Sequence, residues 1–126
     1  MTIESSLSTW LATNITLAVG GVHYEELPQN PTLPALTYIR VSTVPTQTHQ
    51  GNSNLTECRF QIDCWALTKI EARALAKQLV DLLDGYSGTM GDVYIGHCLY
   101  SGDRDLHDSS TKRDHPPVEF MIAFNE

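Results

Sequence analysis

The apolar residues of this chain recur with two different periods inside one stretch, from Thr56 to Leu83. They first alternate with polar residues, as in a strand that buries one face. After Thr68 they recur about every 3.6 residues, as on one side of an amphipathic helix. Such a unit buries both apolar faces only if the helix folds onto a sheet, so the stretch predicts an α+β fold. The positions expected to be buried are Cys58, Phe60, Ile62, Cys64 and Ala66 on the strand, and Ala72, Leu75, Ala76, Leu79, Leu82 and Leu83 on the helix.

The limits of this helix are also marked in the sequence. Thr68 and Glu71 have the spacing of a capping box, which satisfies backbone N–H groups of the first turn. Gly85 follows the last apolar residue, and glycine commonly ends a helix because it adopts the left-handed conformation without strain. We therefore predict a helix from Thr68 to Leu83.

Four further segments have regular patterns and set the predicted order of elements. Ile3 to Ala18 has apolar residues at helical spacing and is followed by two glycines. Leu36–Val44, Asp92–Tyr100 and Val118–Phe124 alternate as strands. This order predicts one domain over residues 1–126, a four-stranded antiparallel sheet with both helices packed on it. The residues expected to share its core are Phe60, Ile62, Cys64, Leu75, Leu79, Leu82, Phe120 and Ile122.

The segments between these elements are polar or rich in proline. Val22 to Pro34 contains three prolines, which exclude a helix interior and a central strand, so we expect an irregular, extended surface arm. Loops 46–56 and 101–115 are long and carry few apolar residues. We expect both loops to be mobile in an isolated subunit and ordered by a partner, because they cannot offset the entropy of ordering alone.

No motif for catalysis, cofactor binding or metal binding is present. Three histidines and three aspartates match no zinc or calcium spacing, so a solvated loop is the better interpretation. No glycine-rich loop joins a strand to a helix, and no serine or cysteine lies in a nucleophile motif. We predict no enzyme activity, no cofactor and no metal. The histidines and aspartates considered are His97, His107, His115, Asp103, Asp105 and Asp108.

The cysteines and the net charge also limit which classes of protein this chain can belong to. Cys58 and Cys64 share a strand face but lie about 20 Å apart, so with Cys98 they are predicted as buried free thiols. The net charge of −7 counts against tight nucleic-acid binding. No apolar run reaches the roughly 20 residues needed to span a bilayer, and no secretory signal is recognised. We expect a protein made in the cytoplasm, with no membrane partner.

One polar strand face carries unusual residues. Arg59, Gln61, Asp63 and Trp65 alternate with the buried positions of their strand. A tryptophan and a glutamine lie among charged residues on the strand face that the alternation directs toward solvent. Their presence indicates that another part of the protein or another subunit covers this face. Two covers remain open from the sequence: the N-terminal helix or connector of the same chain, or a neighbouring subunit.

The run from Cys58 to Ala66, followed by Glu71-Ala72-Arg73-Ala74-Leu75-Ala76, resembles the tail-completion proteins of long-tailed bacteriophages. The segment Leu33-Pro34-Ala35-Leu36-Thr37-Tyr38 resembles the part of those proteins in which a proline introduces the first strand. The resemblance implies a structural virion protein of the tail or neck, a terminator that caps the tail tube and joins it to the head connector as a ring. The implied partners are further copies of the chain, the tail tube protein, the connector or head-closure protein, and genomic DNA passing through the lumen without sequence-specific binding.

The size of the domain favours six subunits in such a ring. A compact domain of this length has a radius of gyration of about 14 Å, so six copies leave a hole of about 36 Å and three leave only about 6 Å. B-form DNA, roughly 20 Å across, passes only the larger hole, whose wall we expect to be neutral to acidic. Ring closure requires two unlike patches. The candidates are Arg59, Gln61, Asp63 and Trp65 against Glu25, Leu27, Pro28 and Pro31, with the assembly-loop residues His49, Asn52, Asn54, Asp103, Arg104, Asp105, Lys112 and Arg113.

Two other functions remain open from the sequence. One is a head-closure ring of the same virion. The other is a ligand-binding or enzymatic α+β domain, which a deep pocket with convergent polar groups and shifted pKa values would indicate.

Overall fold

The computed structural model describes residues 2–44 and 55–125, with only the backbone of Val44 included. This part of the chain forms two helices and eight strands. Their bounds in chain order are α1 (Ile3–Asn14), β1 (Val22–Tyr24), β2 (Ala35–Val44), β3 (Thr56–Trp65), α2 (Lys69–Leu83), β4 (Gly88–Met90), β5 (Val93–Asp103), β6 (His107–Asp108), β7 (Arg113–Asp114) and β8 (Pro117–Asn125).

Six of the strands form one mixed sheet in the order β1-β2-β3-β8-β5-β4, and β6 pairs with β7 in a separate hairpin. β1 runs parallel to β2, and the other neighbours in the sheet are antiparallel. The α+β class predicted from the sequence is confirmed. The predicted four-stranded sheet is wrong, because it omitted the two short edge strands.

Both omitted strands are three residues long, too short to display a period. Val22–Tyr24 lies before the first proline of the connector, so its backbone N–H groups are available for pairing with β2. The connector is therefore regular over these residues, contrary to the prediction. It leaves the sheet at Glu25, whose φ of 71° is in the left-handed region.

The two helices differ from their predicted limits in informative ways. α1 ends at Asn14, before the predicted Ala18, because Thr13 to Thr16 contains poor helix formers. The Asn14 side chain donates to the carbonyl of Trp10 at 2.8 Å. In α2, Thr68 is the N-cap as predicted and accepts from the Glu71 N–H at 3.2 Å. The Glu71 carboxylate accepts from the Thr68 hydroxyl instead of closing the box on its backbone.

The core lies between both helices and one face of the sheet. Leu75 and Leu79 of α2 and Ile3, Leu7 and Leu11 of α1 are fully buried against it. The predicted burial of Leu82 is wrong, since 44% of this residue is exposed. The buried stripe follows the helical positions of Leu75, Leu79 and Leu83, and Leu82 lies beside it toward solvent. The other predicted core residues are buried together: Phe60, Ile62, Cys64, Phe120 and Ile122.

Bulges interrupt the regular alternation in β2 and β5. The register shifts between Arg40 and Ser42, and again between Ile95 and His97. At the second bulge a Cβ on Gly96 would lie 2.6 Å from Cδ1 of Leu55, so a larger residue would require the Leu55 side chain to move. Cys98 joins the buried face beyond the bulge, whereas an uninterrupted alternation from Val93 would place it on the opposite face. Its predicted burial is therefore confirmed, through a bulge that the sequence did not indicate.

The two predicted loops have different outcomes. Residues 101–103 belong to β5, and β6 and β7 form a hairpin within the remainder of segment 101–115, so this predicted polar loop contains regular structure. Of loop 46–56, only Leu55 and Thr56 are described, and Thr56 already belongs to β3. His49, Asn52 and Asn54 lie outside the described residues.

Candidate subunit interface

The face of β3 that carries Arg59, Gln61, Asp63 and Trp65 points away from both helices. On β2, the residues opposite Phe60 and Ile62 are Arg40 and Tyr38, and these contact α1. The Tyr38 hydroxyl donates to the carbonyl of Glu4 at 3.1 Å, and Arg40 Nη2 lies 2.8 Å from Glu4 Oε2. Since neighbouring residues on paired strands share a face, α1 covers the apolar side, and the N-terminal helix does not cover the polar one.

Part of this open face is internally paired. Gln61 Nε2 donates to Asp63 Oδ1 at 2.8 Å, and Arg59 Nη1 lies 3.8 Å from Glu119 Oε1 on β8. The Arg59 side chain nevertheless keeps 42% of its surface in solvent. Met121 and Leu99 continue the face across β8 and β5, and Leu99 is half exposed. The surface is thus a mixed polar and apolar sheet face that the described helices leave open.

At one end of this face, Trp65 is the centre of a closely packed corner. Trp65 Nε1 donates to Thr37 Oγ1 at 2.8 Å, and its ring stacks on His115 with centroids 4.3 Å apart and planes at 13°. His115 Nδ1 lies 3.2 Å from Asp63 Oδ2, so the buried Asp63 carboxylate has two partners. Sequence reasoning missed Thr37 and His115. The position of His115 before Pro116-Pro117 was the available signal, because that pair holds the chain beside β3.

A cluster of charges anchors the segment after β5 to α2. Arg73 Nη2 lies 2.6 Å from Asp105 Oδ1, and Arg73 Nη1 lies 3.3 Å from Asp103 Oδ1. Lys69 Nζ adds a contact of 3.3 Å to Asp105. The hydrogen bond from Arg73 holds the pKa of Asp105 below its usual value, and the hydrogen bond of Tyr100 to Asp103 raises the pKa of Tyr100. Asp103 and Asp105 were predicted as loop residues, and no sequence pattern linked them to Arg73.

The β6–β7 hairpin is attached to the same end of the sheet. Ala66 and Asp114 exchange backbone hydrogen bonds at 2.9 Å, and the His115 N–H donates to the carbonyl of Leu106. In the turn, hydrogen bonds from Ser110 and Thr111 lower the pKa of Asp108 to about 2. The hairpin therefore has defined contacts within one chain. The predicted ordering of this loop on assembly stays a prediction.

The proline-rich arm is fixed at both of its ends. The Glu25 N–H donates to the carbonyl of Tyr38 at 2.9 Å, and the Gly20 N–H donates to the carbonyl of Pro34 at 2.8 Å. The peptide bond preceding Pro34 is cis. The remaining interface candidates of the arm project along the surface: Pro28 is exposed, and Leu27 and Pro31 are half-buried.

Among the described residues, the hydrogen bonds of the arm go to β1 and β2, not to the four strand residues. The arm starts at the edge strand β1 and returns to the start of β2, where Ala35 pairs with Trp65, whereas Arg59 and Gln61 lie further along β3. The structure thus gathers the four strand residues into one surface and leaves the four arm residues on another.

The described residues show few features of a catalytic or metal-binding site. Between 2–44 and 55–125, no group of three or more potential metal ligands is close enough to hold an ion. Two shallow grooves are present: one between α1 and β4, lined by Ser6 and Trp10, and one between α2 and β5, lined by Val80 and Tyr100. The cysteines are free and buried, as predicted. No helix among the described residues is long and apolar enough to cross a membrane.

The comparisons with known proteins agree with this architecture. A search among curated proteins found no match. A solved structure titled "Virion of native gene transfer agent (GTA) particle" has a similar fold, with a TM-score of 0.66 over 96% of this chain and 94% of that chain, at 12% sequence identity. A second solved structure covers 98% of this chain and 94% of its own, with a TM-score of 0.67 and 12% identity. The family model described as Tail completion protein gp17 matches residues 6–125, and the chain therefore belongs to this family of structural virion proteins, which are not enzymes.

Proposed function

We propose that this protein is the subunit of a closed ring that terminates the tail tube and joins it to the connector of the head. The observation that carries the proposal is the pair of unlike surfaces on different parts of the sheet. One is the open face around Arg59, Gln61 and Trp65. The other is the arm after β1 at the sheet edge. A ring with cyclic symmetry needs two different patches on each subunit, and these two surfaces meet that requirement.

The open face is suited to contact with protein. Partly exposed apolar residues, Met121 and Leu99, lie beside hydrogen-bonding groups that the described helices leave uncovered. Interfaces typically combine an apolar centre with a polar rim, and tryptophan and arginine are enriched in them. Trp65 is already held by Thr37 and His115, so little further side-chain entropy is lost when a neighbouring subunit packs against it.

Six copies are the expected ring size. The domain-size argument gives a hole of about 36 Å for six subunits, wide enough for B-form DNA of about 20 Å. The net charge of −7 favours a lumen that DNA crosses without sticking. The ring would contact the tail tube protein on one side and the connector or head-closure protein on the other.

The test combines mass in solution with placement in the particle. Sedimentation of the purified protein over a range of concentrations should reveal a hexamer, and the Arg59→Glu variant should assemble at least about tenfold more weakly. Lys77→Glu is the matched control, since Lys77 is exposed on α2 and its ion pair is with Asp81 of the same helix.

A reconstruction of the virion should then place the chain at the junction of tail and head. A ring of three, a lumen lined mainly by lysine and arginine, or placement in another part of the particle would contradict the proposal. Density on the head side of the neck would instead support the head-closure alternative.

A further inference from the structure

Two separate segments of the described chain carry charges of opposite sign that have no ion-pair partner. Lys112 and Arg113 lie on the β6–β7 hairpin, and neither makes an ion pair within residues 2–44 and 55–125. Glu25 and Glu26 begin the arm, are exposed, and make none within the same ranges. Most other cations of the described chain are paired: Arg40, Arg59, Lys69, Arg73 and Lys77.

The acids near the hairpin are already engaged by other groups. Asp114 contacts His107 at 3.1 Å, and Asp105 contacts Arg73 and Lys69. Asp108 accepts from the Ser110 N–H and hydroxyl. The positive charge of Lys112 and Arg113 is therefore left over at the surface, and the hairpin presents it at a defined position.

The arm presents its negative charge in an equally defined position. The Glu25 N–H is bonded to Tyr38, and the Glu26 N–H donates to the carbonyl of Tyr24 at 2.8 Å. The backbone of both glutamates is therefore fixed beside the edge strand β1, with the side chains exposed. The hairpin belongs instead to the connection between β5 and β8 and bonds to Ala66 beyond β3.

We propose that Glu25 and Glu26 of one subunit pair with Lys112 and Arg113 of the next subunit around the ring. This inference rests on the proposed function and names the charged contact of its interface. The hairpin adjoins the Trp65 corner through His115, so an arm lying across the open face would reach the hairpin at the same end. The half-buried Leu27 follows the glutamates, and Leu106, 37% exposed, precedes the hairpin, which gives the charged contact an apolar neighbour.

A second copy of this chain is a better occupant than nucleic acid. A phosphate backbone at Lys112 and Arg113 would also lie near Asp108 and Asp114, and the whole chain is acidic. The arm of a neighbouring copy carries only the two charges of Glu25 and Glu26, so it can contact Lys112 and Arg113 without extending over the nearby aspartates as a phosphate backbone would. Exposed ion pairs add little affinity but discourage wrong pairings, so this contact would fix the direction and register of subunits in the ring.

The experiment uses charge reversal in two full-length variants. Lys112→Glu/Arg113→Glu gives a chain with an acidic hairpin and an acidic arm, and Glu25→Lys/Glu26→Lys gives a chain in which both are basic. Each variant alone should assemble at least about tenfold more weakly than the wild type, because like charges meet at every interface. Mixed in equal amounts, they should assemble nearly as well as the wild type, since unlike charges then meet in an alternating ring of even number.

Controls separate this contact from a general effect of charge. Asp92→Lys and Lys77→Glu change the net charge by the same amount per site at surfaces away from both segments, and they should assemble like the wild type. Circular dichroism should confirm that every variant is folded. The same variants supplied during virion assembly give a second readout, with intact particles restored only by the mixture.

Recovery of assembly or of intact particles in the mixture supports the inter-subunit pair. The pair is overturned if the wild type forms rings and each charge-reversed variant assembles equally well, or if mixing the two variants does not restore assembly. Either result leaves the proposed ring unaffected. The cations would instead be assigned to contact with nucleic acid if the wild-type protein binds a DNA duplex and the Lys112→Glu/Arg113→Glu variant assembles normally but does not bind it. A wild type absent from the neck of the particle would contradict the proposed function itself.

Discussion

The two faces of β3 use one alternating sequence for two different purposes. On one face Phe60 and Ile62 have no exposed surface and pack under both helices. On the other, Arg59 and Gln61 remain partly exposed and are held by polar contacts within the sheet. The first face contributes most of the free energy of folding, because it removes apolar area from water. The second contributes less stability and leaves surface available for another subunit.

The largest expected difference between the faces is in cysteine reactivity. Burial raises the pKa of Cys98 to about 12 and also raises the pKa of Cys64, and the thiolate is the reactive form. At about pH 8, a thiol of pKa about 12 is ionised in only about one molecule in ten thousand. The wild-type protein should react with a thiol reagent only as fast as it unfolds, whereas Arg59→Cys should add one fast thiol per chain. A fast native cysteine would mean that the helix-covered face opens readily.

The next largest effect is on the stability of the helix-covered face. Leu79→Ala should lower the free energy of unfolding by about 2–5 kcal/mol, because it leaves a cavity at a fully buried position. Leu82→Ala removes the same atoms from the same helix at a position that is 44% exposed, and it should cost less than about 1 kcal/mol. Denaturant titration of both variants measures the contrast. Equal losses would show that the helix is rotated about its axis relative to the structure.

A smaller effect is expected at the Trp65 corner of the open face. His115→Ala removes the ring stacked on Trp65 and one partner of Asp63, so we expect a loss of about 1–2 kcal/mol. Tryptophan fluorescence during urea unfolding follows it. His107→Ala is the matched control, since its pair with Asp114 is more exposed, and it should change stability by less than about 0.5 kcal/mol. If the two variants behave alike, the corner does not hold the hairpin.

The smallest effect concerns the charges between α2 and the hairpin. Arg73→Gln should raise the pKa of Asp105 toward its ordinary value and speed amide exchange around residues 104–106, with Lys77→Gln as control. The pKa of Asp105 is depressed in the folded protein. Its contribution to the stability of this segment is therefore fully present above the ordinary aspartate pKa and is lost as pH falls through the folded pKa. The protection of these amides, measured relative to their intrinsic exchange rates at each pH, should therefore fall in acid in the wild type. Protection that does not change with pH would contradict the anchoring role.

Much of the architecture follows from local patterns. The strand from Thr56 and the helix after Thr68 were predicted because period and capping are properties of neighbouring residues. The short strands β1 and β4 were missed because three residues carry no period. The pairing of β1 also depends on β2, which begins eleven residues later, whereas β4 pairs with β5 across the two-residue turn Gly91-Asp92. Leu55 lies beside Gly96 at the bulge, although the two residues are 41 positions apart, and no local pattern encodes that approach.

By itself the sequence determined that Arg59, Gln61, Asp63 and Trp65 share one strand face, because successive side chains of a strand alternate. Only the tertiary structure decided what covers each side. It placed α1 on the apolar face, brought His115 onto Trp65, and connected Arg73 to Asp105. These contacts join residues at least 32 positions apart and depend on how the helices and strands pack. Periodicity describes one element at a time, whereas burial and pairing are properties of the assembled sheet.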